Sequence, residues 1–317
     1  MSRLTLNTNK EKGENYMFEH CYENYQNYGK CMVMKNNGLT VKVTVDVGPR
    51  IIYFGNDMQN FMWNDLDRVV DKGGEFFDQN FKKGEKWYIY GGHRLWKSPE
   101  DLASYNPDNY PVEIILGEND VTFFSKEQKT TGLKTGFKIN FEKDGVKITH
   151  IFKNVSDKVV KCSLWGLSVL KQGGVEIIPV NDDETGLLPN RNFVFWAYSD
   201  FNDPRLKIDN EFCTLAQDNK NTNAFKLGML SKKGISCYLV DGDLFVKRFE
   251  NVEGEYADYC CNFETYTSEN FLEMETLSPL YEINPGEEKT HVEKWTAYFA
   301  IGKNKDFDGV KSFIKTL

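Results

Sequence analysis

The sequence predicts an all-β protein, a large antiparallel β-sandwich with few short helices. Three observations carry that reading. Apolar and polar residues alternate with period two, without a fault in Val41-Lys42-Val43-Thr44-Val45-Asp46-Val47, as half-buried strands require. Glycine, proline, asparagine and aspartate punctuate the chain at short intervals. Helix-type spacing is scarce and never alternates with strands, which excludes a βαβ architecture.

In chain order, the first strand covers 41–47, Gly48-Pro49 breaks it, and 50–54 forms the next. Strands follow at 112–116, 121–125 and 136–142, the last pairing with 146–153 across Lys143-Asp144-Gly145. Glycine accepts positive φ there, which marks a hairpin. Residues 154–158 form a turn and 159–170 a long apolar strand. Further strands are expected at 175–179, 193–198, 225–230, 236–240, 244–249, 258–266, 271–277 and 289–300. Val310, Phe313, Ile314 and Leu317 have the spacing of a short helix over 308–317. Two irregular stretches, 64–86 and 179–192, are long enough to be functional loops.

Bulk composition narrows the function. The 317 residues, 40% hydrophobic and 27% charged, suffice for one large core, read as a single domain over 1–317. Net charge is −8, without the basic footprint of a nucleic-acid binder. No apolar run is long enough for a membrane span. Seven scattered cysteines without a Cys-x-x-Cys pair, behind the polar start MSRLTLNTNK, point to reduced thiols and a cytoplasmic protein. No phosphate loop, dinucleotide fingerprint or zinc spacing occurs, so no cofactor and no metal are expected. The expected partner is a small-molecule sugar or sugar derivative, with no nucleic acid and no membrane; the oligomeric state stays open. Aromatic content of 14% suits sugar rings, although aromatics also fill cores.

Three segments carry candidate site residues. Gly91-Gly92-His93-Arg94-Leu95-Trp96 sets a histidine and a guanidinium behind two glycines, on a segment that reads as too irregular for a core element. His93 would serve as general acid, with Arg94 and Trp96 as substrate contacts; a loop histidine bonded to backbone is the alternative. In Phe271-Leu272-Glu273-Met274-Glu275 the two glutamates share one strand face. Mutual repulsion there would raise one pKa into the range of a general base, unless the face is simply solvated. Glu264, one strand earlier, would join them. Asn190, Arg191, Trp196 and Tyr198 crowd a loop-to-strand junction that could line a polyol pocket or merely stitch the loop, and Lys226 is a further basic contact. Asp203 with Arg205 reads as a structural pair, and Asp182-Asp183-Glu184 as a solvated turn.

Taken in order, Gly48-Pro49-Arg50-Ile51, Gly91-Gly92-His93, Asn154-Val155-Ser156-Asp157, 272–279 and Asn284-Pro285-Gly286-Glu287 resemble segments of the galactose mutarotase-like superfamily. Gly-Gly-His-Arg-Leu-Trp together with Leu-Pro-Asn-Arg is closer still to a bacterial branch of it. The resemblance implies a β-sandwich and an aldose 1-epimerase-like isomerase that needs no cofactor. It places the base at Glu275, with Glu273 as fallback, and the first substrate-binding histidine at His93. The stretch Cys162-Ser163-Leu164-Trp165-Gly166-Leu167, where the resemblance would put a second histidine as ring-oxygen acid, has none, and Trp165 stands near that place. Either His93 has taken the acid role or the site binds sugar without turnover. A non-catalytic sugar-binding or sensing module is therefore one alternative, and a polysaccharide-active enzyme such as a lyase another.

Overall fold

Two large antiparallel sheets contain nearly all the strands. The structure is a computed structural model; it describes the backbone of residues 5–11 and 14–317 and the side chains of 18–317. One sheet has 13 strands and the other ten. Along the larger sheet, Ile51–Asn56 is followed by His93–Ser98, Val160–Leu170, Leu272–Leu277, Phe263–Thr267 and Phe225–Met229, with Val194–Phe195 at the edge. The centre of the smaller sheet runs Leu133–Glu142, Gly145–Asn154, Glu288–Tyr298, Asp243–Phe249, Ile235–Val240. The hairpin expected across Lys143-Asp144-Gly145 is present, with Glu142 opposite Gly145.

The inner faces meet in an apolar core. Phe54, Phe61, Phe245 and Trp295 interlock there, with ring centroids 5.2 Å apart for Phe54 and Trp295, a separation at which edge-to-face packing is favourable. The C-terminal helix Phe307–Ile314 is capped by Asp306, which accepts from Gly309 N, and buries Val310 and Ile314 against the outside of the smaller sheet. No helix among the described residues is long and apolar enough to cross a membrane.

Three expectations need correction. The segment after Gly91-Gly92 is a central strand, His93–Ser98, not an irregular loop. Both glycines are left-handed, and a Cβ at Gly92 would lie 2.4 Å from the Ile51 carbonyl oxygen. They turn the chain tightly into the sheet instead of opening a loop. The strand expected over 258–266 begins only at Phe263, because Asp258, Tyr259 and Cys260 have φ of 50°, 58° and 68°. The described chain also has strands before residue 41, Glu14–Asn24 and Lys30–Asn36 among them; in the latter a continuous apolar run, Cys31-Met32-Val33-Met34, is buried on both faces and shows no alternation.

Candidate functional site

Strand alternation sorts the candidate residues by face. In the larger sheet Arg94 and Leu167 are opposite one another, and Leu167 in turn faces Glu275, which faces Glu264. The next row on the same face runs Val169, Glu273, Tyr266, Lys226. A row on the other side joins Trp96, Trp165 and Leu277. All these side chains leave the sheet on the side away from the sandwich core. Arg94, Trp96, Trp165, Leu167, Lys226, Tyr266, Glu273 and Glu275 floor a cavity of about 400 Å³, within the size range of small-molecule sites.

Charges pair across the rows. Arg94 Nη1 donates to Glu273 Oε1 at 3.2 Å. Lys226 Nζ lies 2.8 Å from Glu275 Oε2 and 2.7 Å from Glu264 Oε2, so one ammonium bridges two carboxylates that face each other across adjacent strands. The second donor on Glu275 Oε2 is Trp165 Nε1, at 2.9 Å. Aromatic rings wall the floor: Trp87, Trp96 and Trp165 stack in succession with centroids 5.3 and 5.5 Å apart. Lys226 Nζ sits 4.6 Å from the Trp165 ring and 4.7 Å from Trp196, at cation–π distance.

Burial tunes these groups. Desolvation, reinforced by Glu275, raises Glu273 to about 6 against the pull of Arg94. Desolvation also drives Glu264 well above the usual carboxylate range, with Lys226 opposing. Burial works against charge on Lys226 too, but Glu275 and Glu264 hold its ammonium well above the ordinary lysine value. Lys226 thus keeps its proton between the two carboxyl groups, and Glu264 carries one as well.

His93 is not in this cavity. Strand alternation sends it to the inner face, where it is fully buried. His150 Nδ1 must donate to the His291 carbonyl at 3.0 Å, so its Nε2 accepts from His93 Nε2 at 2.7 Å. His93 Nδ1 then accepts from Ser168 Oγ at 2.8 Å. His291 Nε2 donates to Thr276 Oγ1 at 2.8 Å, and Thr276 donates to Glu293. Lys247 Nζ and Trp295 Nε1 donate to the two oxygens of Glu293 at 3.2 and 2.7 Å. The expectation of a catalytic His93 thus fails on position. His150 and His291, which have no ligand spacing in sequence, meet His93 only through the fold.

Ligand atoms of His93, His150 and Glu293 lie within 4.8 Å of one another, the one such group among the described residues able to hold a metal ion. The donor set does not fit a cation well. Every ring nitrogen of His93 and His150 has a protein partner, and the Lys247 ammonium already balances Glu293.

Asn190 and Arg191 also lie away from the cavity floor. Arg191 Nε donates to Asn181 O at 2.9 Å and Asn190 Nδ2 to Asp183 O at 2.8 Å, so both stitch the loop. Arg205 pairs with Asp203 at 2.7 Å as expected. Asp182 and Asp183 take ion pairs from Lys233 and Lys232 in an exposed turn. Trp196, Tyr198 and Glu264 do line the cavity or its mouth.

Among solved structures, a galactose mutarotase-like protein from Lactobacillus casei superposes with a TM-score of 0.53 at 8% identity, covering 84% of this chain and all (100%) of that one. A "putative aldose 1-epimerase" from Klebsiella pneumoniae subsp. pneumoniae gives 0.53 at 10% identity, over 99% of this chain and 95% of that one. This chain has the galactose mutarotase-like fold. A TPR-domain containing protein from Parabacteroides distasonis shares it at a TM-score of 0.57 and 10% identity, over 93% of this chain and 53% of that one. No family profile and no curated protein matches the sequence.

Within this mutarotase-like sheet, Trp165 lines the cavity and donates to Glu275. Trp87, one of the aromatic residues that flank His93 in sequence, lines the same space, and so do Tyr105, Tyr266 and Phe271, which sequence reasoning missed. Period two could have found Tyr266 and Phe271 beside the glutamates. Tyr105 has no such signal; it reaches the cavity from the 3-10 turn Leu102–Tyr105.

Proposed function

We propose that the outer-face cavity binds an aldose and exchanges its anomers without a cofactor. The observation carrying this is the pairing, over one aromatic floor, of a buried carboxylate poised near 6, Glu273, with a proton-sharing trio around Lys226. Glu273 takes the proton of the anomeric hydroxyl, and the C1–O5 electron pair leaves to the ring oxygen. The Lys226–Glu264 pair supplies the proton that oxygen needs. Rotation about C1–C2 and reclosure return both protons, so the cycle balances. Arg94 holds Glu273 in place, and Trp165 with Lys226 fixes the Glu275 carboxyl beside the developing charge.

The test is anomer exchange of common aldoses, followed by NMR with purified protein. Acceleration is expected, and Glu273→Gln should lower it by about a hundredfold or more. The absence of histidine from the cavity supports a second reading, a sugar-binding module without turnover. That reading is favoured if aldoses raise the melting temperature while exchange stays at the solvent rate.

A further inference from the structure

The floor of the cavity is charge-balanced, but its mouth is not. Carboxylates outnumber cations along the walls: Asp71, Glu100, Asp101, Asp258, Glu264, Glu273 and Glu275 against Lys72, Arg94 and Lys226. Arg94 and Lys226 are committed to Glu273, Glu264 and Glu275. Asp71 and Asp101 are matched by Lys86 and Lys97, at 3.0 and 2.8 Å. What is left over is Glu100 and Asp258, which are bonded only to the hydroxyls of Tyr105 and Ser98. Lys72 is the one lining cation outside an ion pair, and its Nζ rests 3.6 Å from the Tyr105 ring centroid.

A second observation points the same way. Glu264 is fully buried, yet it lines the mouth, and its Oε1 has no donor from the protein. Asp258 faces the same space and adds to the rise of the Glu264 pKa. A carboxyl oxygen accepts a hydrogen bond in either protonation state. Trp165 and Trp196, which share this wall, already hold one ammonium, that of Lys226, between their faces. Oxygen acceptors, surplus negative charge and electron-rich rings form the environment in which a primary ammonium is stabilised.

We infer that the mouth is a subsite for an ammonium group, so that the pocket prefers an aldose bearing a free amine over neutral, phosphorylated or acidic sugars. The inference rests on the outer cavity being the sugar site. An incoming phosphate or carboxylate would meet Glu100 and Asp258 and find no uncommitted cation except Lys72. An amine would meet Asp258, Glu100 and the open oxygen of Glu264.

The experiment is a binding panel by calorimetry on the intact chain with D-glucosamine, glucose, N-acetylglucosamine and glucose 6-phosphate. Glucosamine should bind about tenfold tighter than glucose or N-acetylglucosamine, and glucose 6-phosphate most weakly. The glucosamine advantage should shrink as salt rises, because the mouth is solvent-exposed. Asp258→Asn and Glu100→Gln, checked for an unchanged melting temperature, should each reduce the glucosamine-to-glucose ratio about threefold. Equal binding of glucosamine and N-acetylglucosamine, or tighter binding of the phosphate, overturns the ammonium subsite while the sugar pocket stands. If none of the four sugars binds, both readings fall.

Discussion

Along the strand Leu272–Leu277, Glu273 and Glu275 face the outer cavity while Met274 and Thr276 face the other sheet, where the Met274 carbonyl and the Thr276 hydroxyl bond to Lys247 and Glu293. Each face holds a lysine against glutamate, Lys226 outside and Lys247 inside. The outer pair borders an open cavity with an oxygen left unpaired; the inner pair is saturated, with Lys247 and Glu293 wholly shielded from solvent. Unspent polar capacity next to space is available to a ligand, whereas a closed network can only hold the sheets together. Histidine content alone points to the closed side.

The largest contrast should come from removing the two lysines. Lys247→Met leaves Glu293 ionised and unpaired in the sandwich interior, and urea unfolding should show a loss of about 3–5 kcal/mol. Lys226→Met leaves Glu264 and Glu275 free to share a proton beside the cavity, at a cost of about 1–3 kcal/mol. Equal losses would mean that the outer pair is as closed as the inner one, and the comparison would break.

How much of this was legible in the sequence follows from range. The alternation of Val41–Val47 and the hairpin at Lys143-Asp144-Gly145 are local signals, and they appear in the fold with small changes of boundary. Period two places Glu273 and Glu275 on one face and brings Glu264 toward them, whereas Lys226 and Trp196 join them only through the fold. Which way each face points is not local. His93 and Arg94 are neighbours in sequence on opposite sides of a sheet, and only pairing with Ser168 and Leu167 decides their sides. The three-histidine network draws on strands His93–Ser98, Gly145–Asn154 and Glu288–Tyr298 from two different sheets, so no spacing rule could reveal it. Asn190 and Arg191 stitch their own loop, and a loop rich in polar residues reads the same in sequence whether it binds a ligand or itself.

The two faces should also respond to pH in opposite senses. Burial holds His93 and His150 below 6.5 and His291 at about 3. The unfolded chain therefore binds protons that the native inner face refuses, so stability is present above pH 6.5 and is lost as pH falls toward 3. Glu273 works the other way. Its native value of about 6 lies above the usual 4.5, so its contribution is full below 4.5 and is lost as pH rises through 6. Glu264, raised well above the carboxylate range, and Glu176, raised to about 8, act in the same sense as Glu273, so the histidine effect should appear as a urea-midpoint gap between wild type and His291→Asn that shrinks as pH falls from 7 to 4.5. Anomer exchange, which needs Glu273 ionised, should rise with pH to a plateau with its midpoint near 6. A midpoint unchanged in Glu273→Gln would assign that titration elsewhere.

The smallest effect on rate should come from the residue that the sequence singles out most strongly. His93→Asn strands the Nε2 of His150 and the hydroxyl of Ser168 inside the core, which should lower stability by about 1–3 kcal/mol. The outer cavity touches none of these atoms. Arg94, on the same strand, keeps its own rotamer against Glu273 and the Trp96 ring, with its guanidinium carbon 4.8 Å from that ring centroid. Exchange measured well below the melting temperature should therefore stay within about threefold of the wild-type rate, because only residues that touch the reacting sugar contribute transition-state stabilisation. A hundredfold loss in a folded His93→Asn protein would make the inner network a participant in the chemistry, transmitting through Thr276 and the Leu272–Leu277 strand to the glutamates on the other side. Retained exchange confines the reaction to the outer face and leaves the histidines a purely structural task.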